Sequence, residues 1–381
     1  MCYDIKRESG PYLTFSFGNM KQPGVIPAEL QYGNNPIDRG SHPKPGKSGY
    51  QRYQEERTMP IDLQYLSWLQ DIRNATGGIF DEFFNGLSKF AVDLMPFLPF
   101  LVFWSLSRKW GYRFMLTHIF GELLNGIIKL TVCAYRPWIR SDKIVPAGDS
   151  KTAATGYSFP SGHSLSAGTT YGTAAVATWK KKKWVAVLCI LLILLTGFSR
   201  NFLGVHTPQD VIVGITEAFV MIFLIGLLMK WMDGNGKRAD LMTVAGILFV
   251  IGSLLYITLK PYPMDYSENG ELLVDPKSMM NDSFKACGMA LGLLIGSFVE
   301  RHYIHFRVPK GAKLLPLMAG VGLGILFGWK NYFAGATVIP LLGKHWGNLL
   351  ARFIMVFFAV AVWPLVIRRF CGDGTEEADA K

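Results

Sequence analysis

Long apolar runs separated by short, polar, mostly basic connections dominate the chain from residue 87 onward. A helix needs about 20 mostly apolar residues to cross a hydrocarbon core of about 30 Å. The stretches that approach this requirement are Leu87 to Leu106, Phe114 to Tyr135, His163 to Trp179, Trp184 to Phe198, Val211 to Met229, Leu241 to Leu259, Phe284 to Phe298, Leu314 to Trp329 and Leu349 to Ile367. The pattern predicts an all-α, polytopic transmembrane helix bundle of about nine spans. Ahead of the first span, Leu63, Leu66, Leu69 and Ile72 recur at helical spacing among polar residues, with Trp68 and Phe80 nearby. That stretch is too amphipathic to span, so it predicts interfacial helices lying on the membrane. The apolar stretch from Tyr332 to Leu342 is too short to cross and reads as re-entrant.

Residues 1–58 are polar and rich in turn formers, with Pro11, Pro23, Pro27, Pro36, Pro43 and Pro45, and they hold no apolar segment of the kind a signal peptide needs. They read as a disordered tail, or as an artefactual extension of a chain that starts at Met59. Interfacial helices then occupy 59–86 and a core occupies 87–232. Additional helices of unassigned role fill 233–368, and a polar cytoplasmic tail ends the chain at 369–381.

Composition sharpens this picture. Half of the 381 residues are hydrophobic, only 18% are charged, and the mean hydropathy is +0.23. Soluble domains carry about a quarter charged residues, so multi-domain soluble folds are excluded along with coiled coils and collagen. The formal charge of +11 sits in short clusters between apolar runs rather than on one polar face, which excludes nucleic acid as a partner. Those clusters report topology instead, because short cytoplasmic loops collect Lys and Arg. Arg108, Lys109 and Arg113, then Lys180 to Lys183, Lys230, Lys237 and Arg238, then Arg301, Arg307, Lys310 and Lys313, and finally Arg368 and Arg369 define the cytoplasmic side. The loops 136–161 and 260–285 face away from it. The expected location is the plasma or inner membrane. Cys2, Cys133, Cys189, Cys287 and Cys371 are scattered, with no metal or disulfide spacing.

Ionisable groups at membrane boundaries are costly and default to function, and three clusters stand out, all on the extracytoplasmic side. Lys129 and Arg136 lie seven residues apart, two helical turns, so they leave one face, and Glu122 and Asn125 continue that face inward. A snorkelling lysine and a headgroup arginine are the plainer readings of that pair. Pro160-Ser161-Gly162-His163 opens an apolar helix whose free N–H groups make an anion site. Ser161 could equally be only a cap, and His163 a solvated histidine. Ser199-Arg200 followed by His206-Thr207-Pro208-Gln209-Asp210 starts another helix. Asp210 could cap that helix or orient the His206 ring, and Arg200 offers a fork for phosphate. Three cations, a helix N-terminus, two histidines and one acid, without a carboxylate cage for Mg²⁺, fit metal-independent phosphoryl transfer with no cofactor.

In order and spacing, Lys129-x6-Arg136-Pro137, Pro160-Ser161-Gly162-His163 and Ser199-Arg200-x5-His206-x3-Asp210 resemble the three signature motifs of the type 2 phosphatidic acid phosphatase and haloperoxidase superfamily. The resemblance covers roughly Ile61 to Lys230. It implies that His206 is the nucleophile that forms a phosphohistidine, with Asp210 orienting it. It implies that His163 is the general acid, then the base for water. Lys129, Arg136, Arg200, Ser161 and the backbone of Gly162 would hold the phosphate oxygens. The function so implied is a membrane lipid phosphatase acting on a lipid phosphate partner, either an isoprenyl diphosphate or a phosphatidate-like monoester. Arg140, Lys143 and Lys151 could meet a second phosphate or be plain loop charge. Transfer of the phosphate to another lipid or sugar acceptor stays open. An anion or lipid transporter is a further alternative, against which stands the paired His206 and Asp210, since a conduit needs cations but no oriented nucleophile.

The orientation is testable by cysteine labelling. A cysteine placed between Asp265 and Asp282 is expected to react with an impermeant thiol reagent in intact cells, and one placed among Lys180 to Lys183 is not. The reverse pattern would overturn the assigned sides.

Overall fold

The computed structural model describes residues 59–374 apart from 155 and 268. The tail expected at 1–58 and most of the polar end at 369–381 lie outside the described residues. Helices make up the fold, and among the described residues the only strand-like feature is an isolated bridge between Tyr266 and Leu272. The architecture is the expected all-α bundle, and the chain is an integral membrane protein.

Helix α1 (Ile61–Ala75) is followed by α2 (Asp81–Asp93), α3 (Leu98–Ser105) and α4 (Arg108–Val132). Next come α5 (Gly162–Thr178), α6 (Lys183–Phe202), α7 (Pro208–Met232) and α8 (Gly236–Leu259). The last four are α9 (Pro276–Val299), α10 (Leu315–Gly328), α11 (Val338–Phe357) and α12 (Trp363–Cys371). By length and composition, 7 stretches among the described residues can cross a membrane: Asp81–Ser105, Arg108–Arg140, Lys183–Phe202, Pro208–Met232, Gly236–Leu259, Pro276–Ile304 and Val338–Cys371. The other two expected spans fold as helices but are shorter. Helix α5 has 17 residues, and α10 has 14 before it passes into a π-helical turn at Trp329–Phe333. The short apolar stretch after that turn reverses direction at Gly343, whose φ of 76° needs a glycine, and Gly347 packs on the backbone of Ile339.

Helices α4, α5, α6 and α7 pack together as one bundle, and α9 packs against α4 on one side and α11 on the other. Small residues permit the close approaches, as is usual where lipid offers no hydrophobic drive to association. A Cβ on Gly214 would lie 2.5 Å from the carbonyl oxygen of Ser161, so α7 can press on the start of α5 only with glycine there. Along α1, Leu63, Leu66 and Leu69 are buried while Ile61 and Trp68 are exposed, so the helical spacing of the leucines gives the buried face. The buried Arg73 side chain donates to the Val145 carbonyl at 2.7 Å and to that of Phe202 at 3.5 Å. This ties α1 to the loop at Val145 and to the end of α6.

The opposite end of α4 is fixed by Glu300, which is fully buried. Its carboxylate accepts from Arg108 Nη1 at 3.0 Å, from Tyr112 Oη at 2.9 Å and from the Phe306 backbone N–H at 2.9 Å. Replacing Glu300 with alanine removes the acceptor of Tyr112 Oη and of the Phe306 N–H, at about 1–3 kcal/mol for each buried donor left unsatisfied, while Arg108, partly exposed and also near Phe306 O, can turn to water. A clear fall in melting temperature of the detergent-purified protein is expected, and an unchanged melting temperature would show that the cluster contributes nothing.

Candidate active site

All three clusters found in the sequence meet at one end of the α4–α7 bundle. Helix α4 brings Lys129 in its last turn, and the chain then leaves the helix through Cys133 in a left-handed conformation. Arg136 follows in extended backbone just before Pro137, so both cations enter from one side. Lys129 Nζ donates to the carbonyls of Pro160 at 2.5 Å and Ser158 at 3.5 Å. Arg136 Nε donates to Gly156 O at 3.1 Å and its Nη1 to Val205 O at 3.0 Å. Both cations are buried, and through these carbonyls they hold the loop before α5 against the loop before α7.

Ser161 caps α5, accepting from the Ser164 backbone N–H at 3.3 Å and from the Ser164 hydroxyl at 2.9 Å. Its own hydroxyl proton remains to be donated. The backbone N–H of Ser161 is already used by the Asp210 carbonyl at 2.9 Å. The N–H of Gly162 opens the helix, where no intrahelical acceptor exists. His163 follows, half-buried, within electrostatic reach of Arg200, His206, Arg136 and Lys129.

The third cluster spans the turn between α6 and α7. Gly204 adopts φ 71°, a left-handed conformation that glycine takes at little cost, and the chain reverses so that the His206 N–H reaches Arg200 O at 3.3 Å. Asn201 Nδ2 donates to His206 O at 2.9 Å and fixes the turn from the other side. Thr207 and Asp210 form a capping box at the start of α7. Asp210 Oδ2 accepts from the Thr207 N–H at 2.9 Å, from Ser158 Oγ at 2.6 Å, and from His206 Nδ1 at 3.3 Å. The capping and orienting readings of Asp210 are therefore both realised, on one oxygen.

The ring state of His206 follows from its neighbours. Arg136 Nη1 lies 2.8 Å from His206 Nε2, and a guanidinium can only donate. Nε2 therefore carries a lone pair, and the ring proton sits on Nδ1, facing Asp210. Burial first, and then the charge of Arg136, push the His206 pKa well below the usual imidazole value, against the pull of Asp210. The imidazole is thus neutral, with its basic nitrogen turned toward the cations.

Arg200 supplies the open valence of the site. It is 1% exposed, and Nη1 donates to Ser88 Oγ at 2.6 Å. Its Nε and Nη2 are buried with no partner among the described residues. Buried donors are rarely left unpaired, and two on one guanidinium match the fork geometry of phosphate.

A family model matches residues 110–237, and its description is the PAP2 superfamily. Residues of this chain align over 162 positions with phosphatidylglycerophosphatase B of Bacillus subtilis at 30% identity, covering 40% of this chain and 72% of that protein. The chain belongs to the PAP2 superfamily. Lipid phosphate phosphatase delta of Arabidopsis thaliana is 29% identical over 250 residues, 62% of this chain and 56% of that protein. Undecaprenyl-diphosphatase of Sulfolobus acidocaldarius is 29% identical over 130 residues, 34% of this chain and 60% of that protein. The chain thus spans less than two thirds of the length of these last two relatives. No solved structure matches it. The PAP2 match ends at residue 237, so α9, α10, α11 and α12 lie wholly outside it.

Several groups of this PAP2 site were not singled out in the sequence. Ser158, Ser88 and Asn201 act through contacts 52, 112 and 5 positions away along the chain, and a lone small polar residue carries no signal of such a contact. Glu217 did carry one, as the single acid in the run from Val211 to Met229. Its Oε2 accepts from Asn125 Nδ2 at 2.8 Å, and its Oε1 is buried without a partner.

If the Arg200 fork receives phosphate, vanadate should bind Arg200→Gln about 10- to 100-fold more weakly than the unmodified protein, the worth of one charged hydrogen-bonding group. Isothermal titration in detergent measures it, and unchanged affinity would remove Arg200 from the anion site.

Proposed function

We propose that this protein is a membrane phosphatase that cleaves a lipid phosphate or diphosphate through a covalent phosphohistidine, without a metal or other cofactor. The observation that carries the reading is the state of His206: a neutral ring whose proton is held on Nδ1 by Asp210, leaving Nε2 as the free base. A nucleophile oriented by a base partner is the arrangement that covalent catalysis requires. The relatives named above support a lipid phosphate as the substrate class.

In this mechanism the substrate phosphate enters among Lys129, Arg136 and Arg200. Arg136 Nη1 moves from His206 Nε2 onto a phosphate oxygen, which frees the lone pair. Nε2 attacks phosphorus in line with the lipid oxygen; the P–O bond breaks, and the leaving alkoxide takes a proton from His163, which holds that proton once the bound phosphate offsets the charge of the surrounding cations. The ring becomes a phosphoimidazolium, and Asp210 stabilises its charge through Nδ1–H. Neutral His163 then removes a proton from water, which attacks phosphorus, returns Nε2 to its lone-pair state and releases inorganic phosphate. The three cations, the Ser161 hydroxyl and the Gly162 N–H stabilise charge on the equatorial oxygens throughout. The Lys and Arg distribution among the loops supports a site facing away from the cytoplasm.

Two sets of outcomes test this. Activity on a lipid phosphate should survive EDTA and be inhibited by vanadate; full loss with EDTA and rescue by Mg²⁺ would overturn the mechanism.

The histidines should also fail differently. His206→Ala should form no acid-labile phosphoenzyme in rapid-quench labelling. His163→Ala should lose about 10²- to 10⁴-fold on a lipid alkoxide leaving group, the range for positioned proton transfer, and much less on a nitrophenyl phosphate whose leaving group needs no proton. Asp210→Asn should slow turnover while keeping some phosphoenzyme. A labelled adduct in His206→Ala, or equal losses on both substrates in His163→Ala, would reject the roles.

A further inference from the structure

The four helices beyond the family match carry a second concentration of charge, distinct from the catalytic one. Lys285 on α9 and Arg352 on α11 each act electrostatically on Lys330 in the turn after α10, and Asp282 acts on Arg352. Two acids answer them. Lys285 Nζ pairs with Asp282 at 2.9 Å, and Lys330 Nζ lies 3.4 Å from Asp93. Arg352 has no carboxylate within 4.0 Å among the described residues, and its one hydrogen bond is from Nη1 to Met355 Sδ at 3.7 Å. Arg352, half-buried, is thus the cation of this group that no carboxylate contacts, a costly place for a charge at the membrane unless something negative joins it.

The place for that group is also present. Arg352 and Lys330 line one cavity of about 30 Å³ together with Asn348 and Trp329, and its wall is fixed by Trp329 Nε1 donating to Ala351 O at 2.8 Å. A polar space of this size holds one or two small polar groups such as phosphate oxygens. The cavity sits at the same end of the bundle as the catalytic cluster, since α9 begins there and the Asp282 charge reaches Lys129. Beside it, Tyr332, Phe333, Leu341 and Trp346 are exposed. Aromatic residues of this kind collect where a span meets the headgroup layer, so a ligand arrives from the bilayer rather than from solution.

We propose that Arg352 and Lys330 form a second anion site, separate from the catalytic one, that binds the headgroup phosphate of an anionic membrane phospholipid. The site does not depend on the phosphatase reading, because it is a binding site on residues outside the catalytic motifs. Arg352 supplies the unpaired guanidinium, Lys330 turns from Asp93 toward the phosphate, and the acyl chains run past the exposed aromatic side chains.

The test is thermal stability of the full chain in mixed micelles, with adducts followed by native mass spectrometry. Phosphatidylglycerol should raise the melting temperature above that in phosphatidylcholine and leave a bound lipid. Arg352→Gln should lose both effects. Lys330→Gln, at the cavity rim, should weaken both and guards against misfolding of the deeper variant. Arg200→Gln should keep both, which separates this site from the catalytic one. Equal melting temperatures in the two lipids, or a phosphatidylglycerol effect that survives in both variants, would overturn the proposal. A shift produced by inorganic phosphate and not by the lipid would reject the lipid as the ligand.

Discussion

Asp210 Oδ2 receives three donors from two separate pieces of chain: the Thr207 N–H and the His206 ring in the turn that starts α7, and the Ser158 hydroxyl from the loop before α5. That single atom sets the helix start, the loop position and the histidine tautomer together. The backbone of the same residue adds a fourth tie, since its carbonyl receives the Ser161 N–H. The end of α5, with its capping serine and His163, is thus placed relative to His206 through one residue. Local helix chemistry and site chemistry are one constraint at this position.

The cations depend on the same frame. Lys129 and Arg136 spend their donors on backbone carbonyls of the two loops, which offsets part of the cost of burying their charge. Arg200 is different, because two of its nitrogens find no acceptor. Two of the cations therefore order the loops, and the third keeps two donors without a partner among the described residues. A phosphate that bridges all three would take up the unsatisfied donors without dismantling the loops.

Much of this was legible in the sequence, for physical reasons. Spans show as apolar runs, and the buried face of α1 shows as leucines at helical spacing. Six of the candidate positions show because charged and histidine residues at the ends of apolar runs have few innocent explanations, and Ser161 and Gly162 show because they open a helix beside His163. What the pattern missed were contacts that depend on the fold closing. Ser88 is one hydroxyl on α2 until Arg200 packs on it across 112 residues, and Arg73 reads as one more surface arginine until it meets the carbonyls of Val145 and Phe202. Helix α5 has 17 residues, as many as the expected stretch from His163 to Trp179, and starts one residue earlier, at Gly162. Its first turn belongs to the site rather than to the bilayer.

The helices past residue 237 are not passive additions to the catalytic bundle, because α4 is held by them at both ends. At one end Glu300, in the π-helical turn after α9, takes bonds from Arg108 and Tyr112. At the other, a Cβ on Gly126 would lie 2.6 Å from Ser283 Oγ, so α9 rests directly on α4 one turn before Lys129. Since α4 carries Lys129 in its last turn and hands the chain to Arg136, the positions of two site cations are set partly by packing outside the family's own span. The charge of Asp282 on α9 reaches both Lys129 and Glu122, and Glu217 holds Asn125 on the next turn of the same helix face. A displacement of α9 would therefore be felt at the candidate site as a change in both the placement and the local field of Lys129. That makes the α4–α9 contact the physical route by which the C-terminal helices can tune the site without contributing a residue to it.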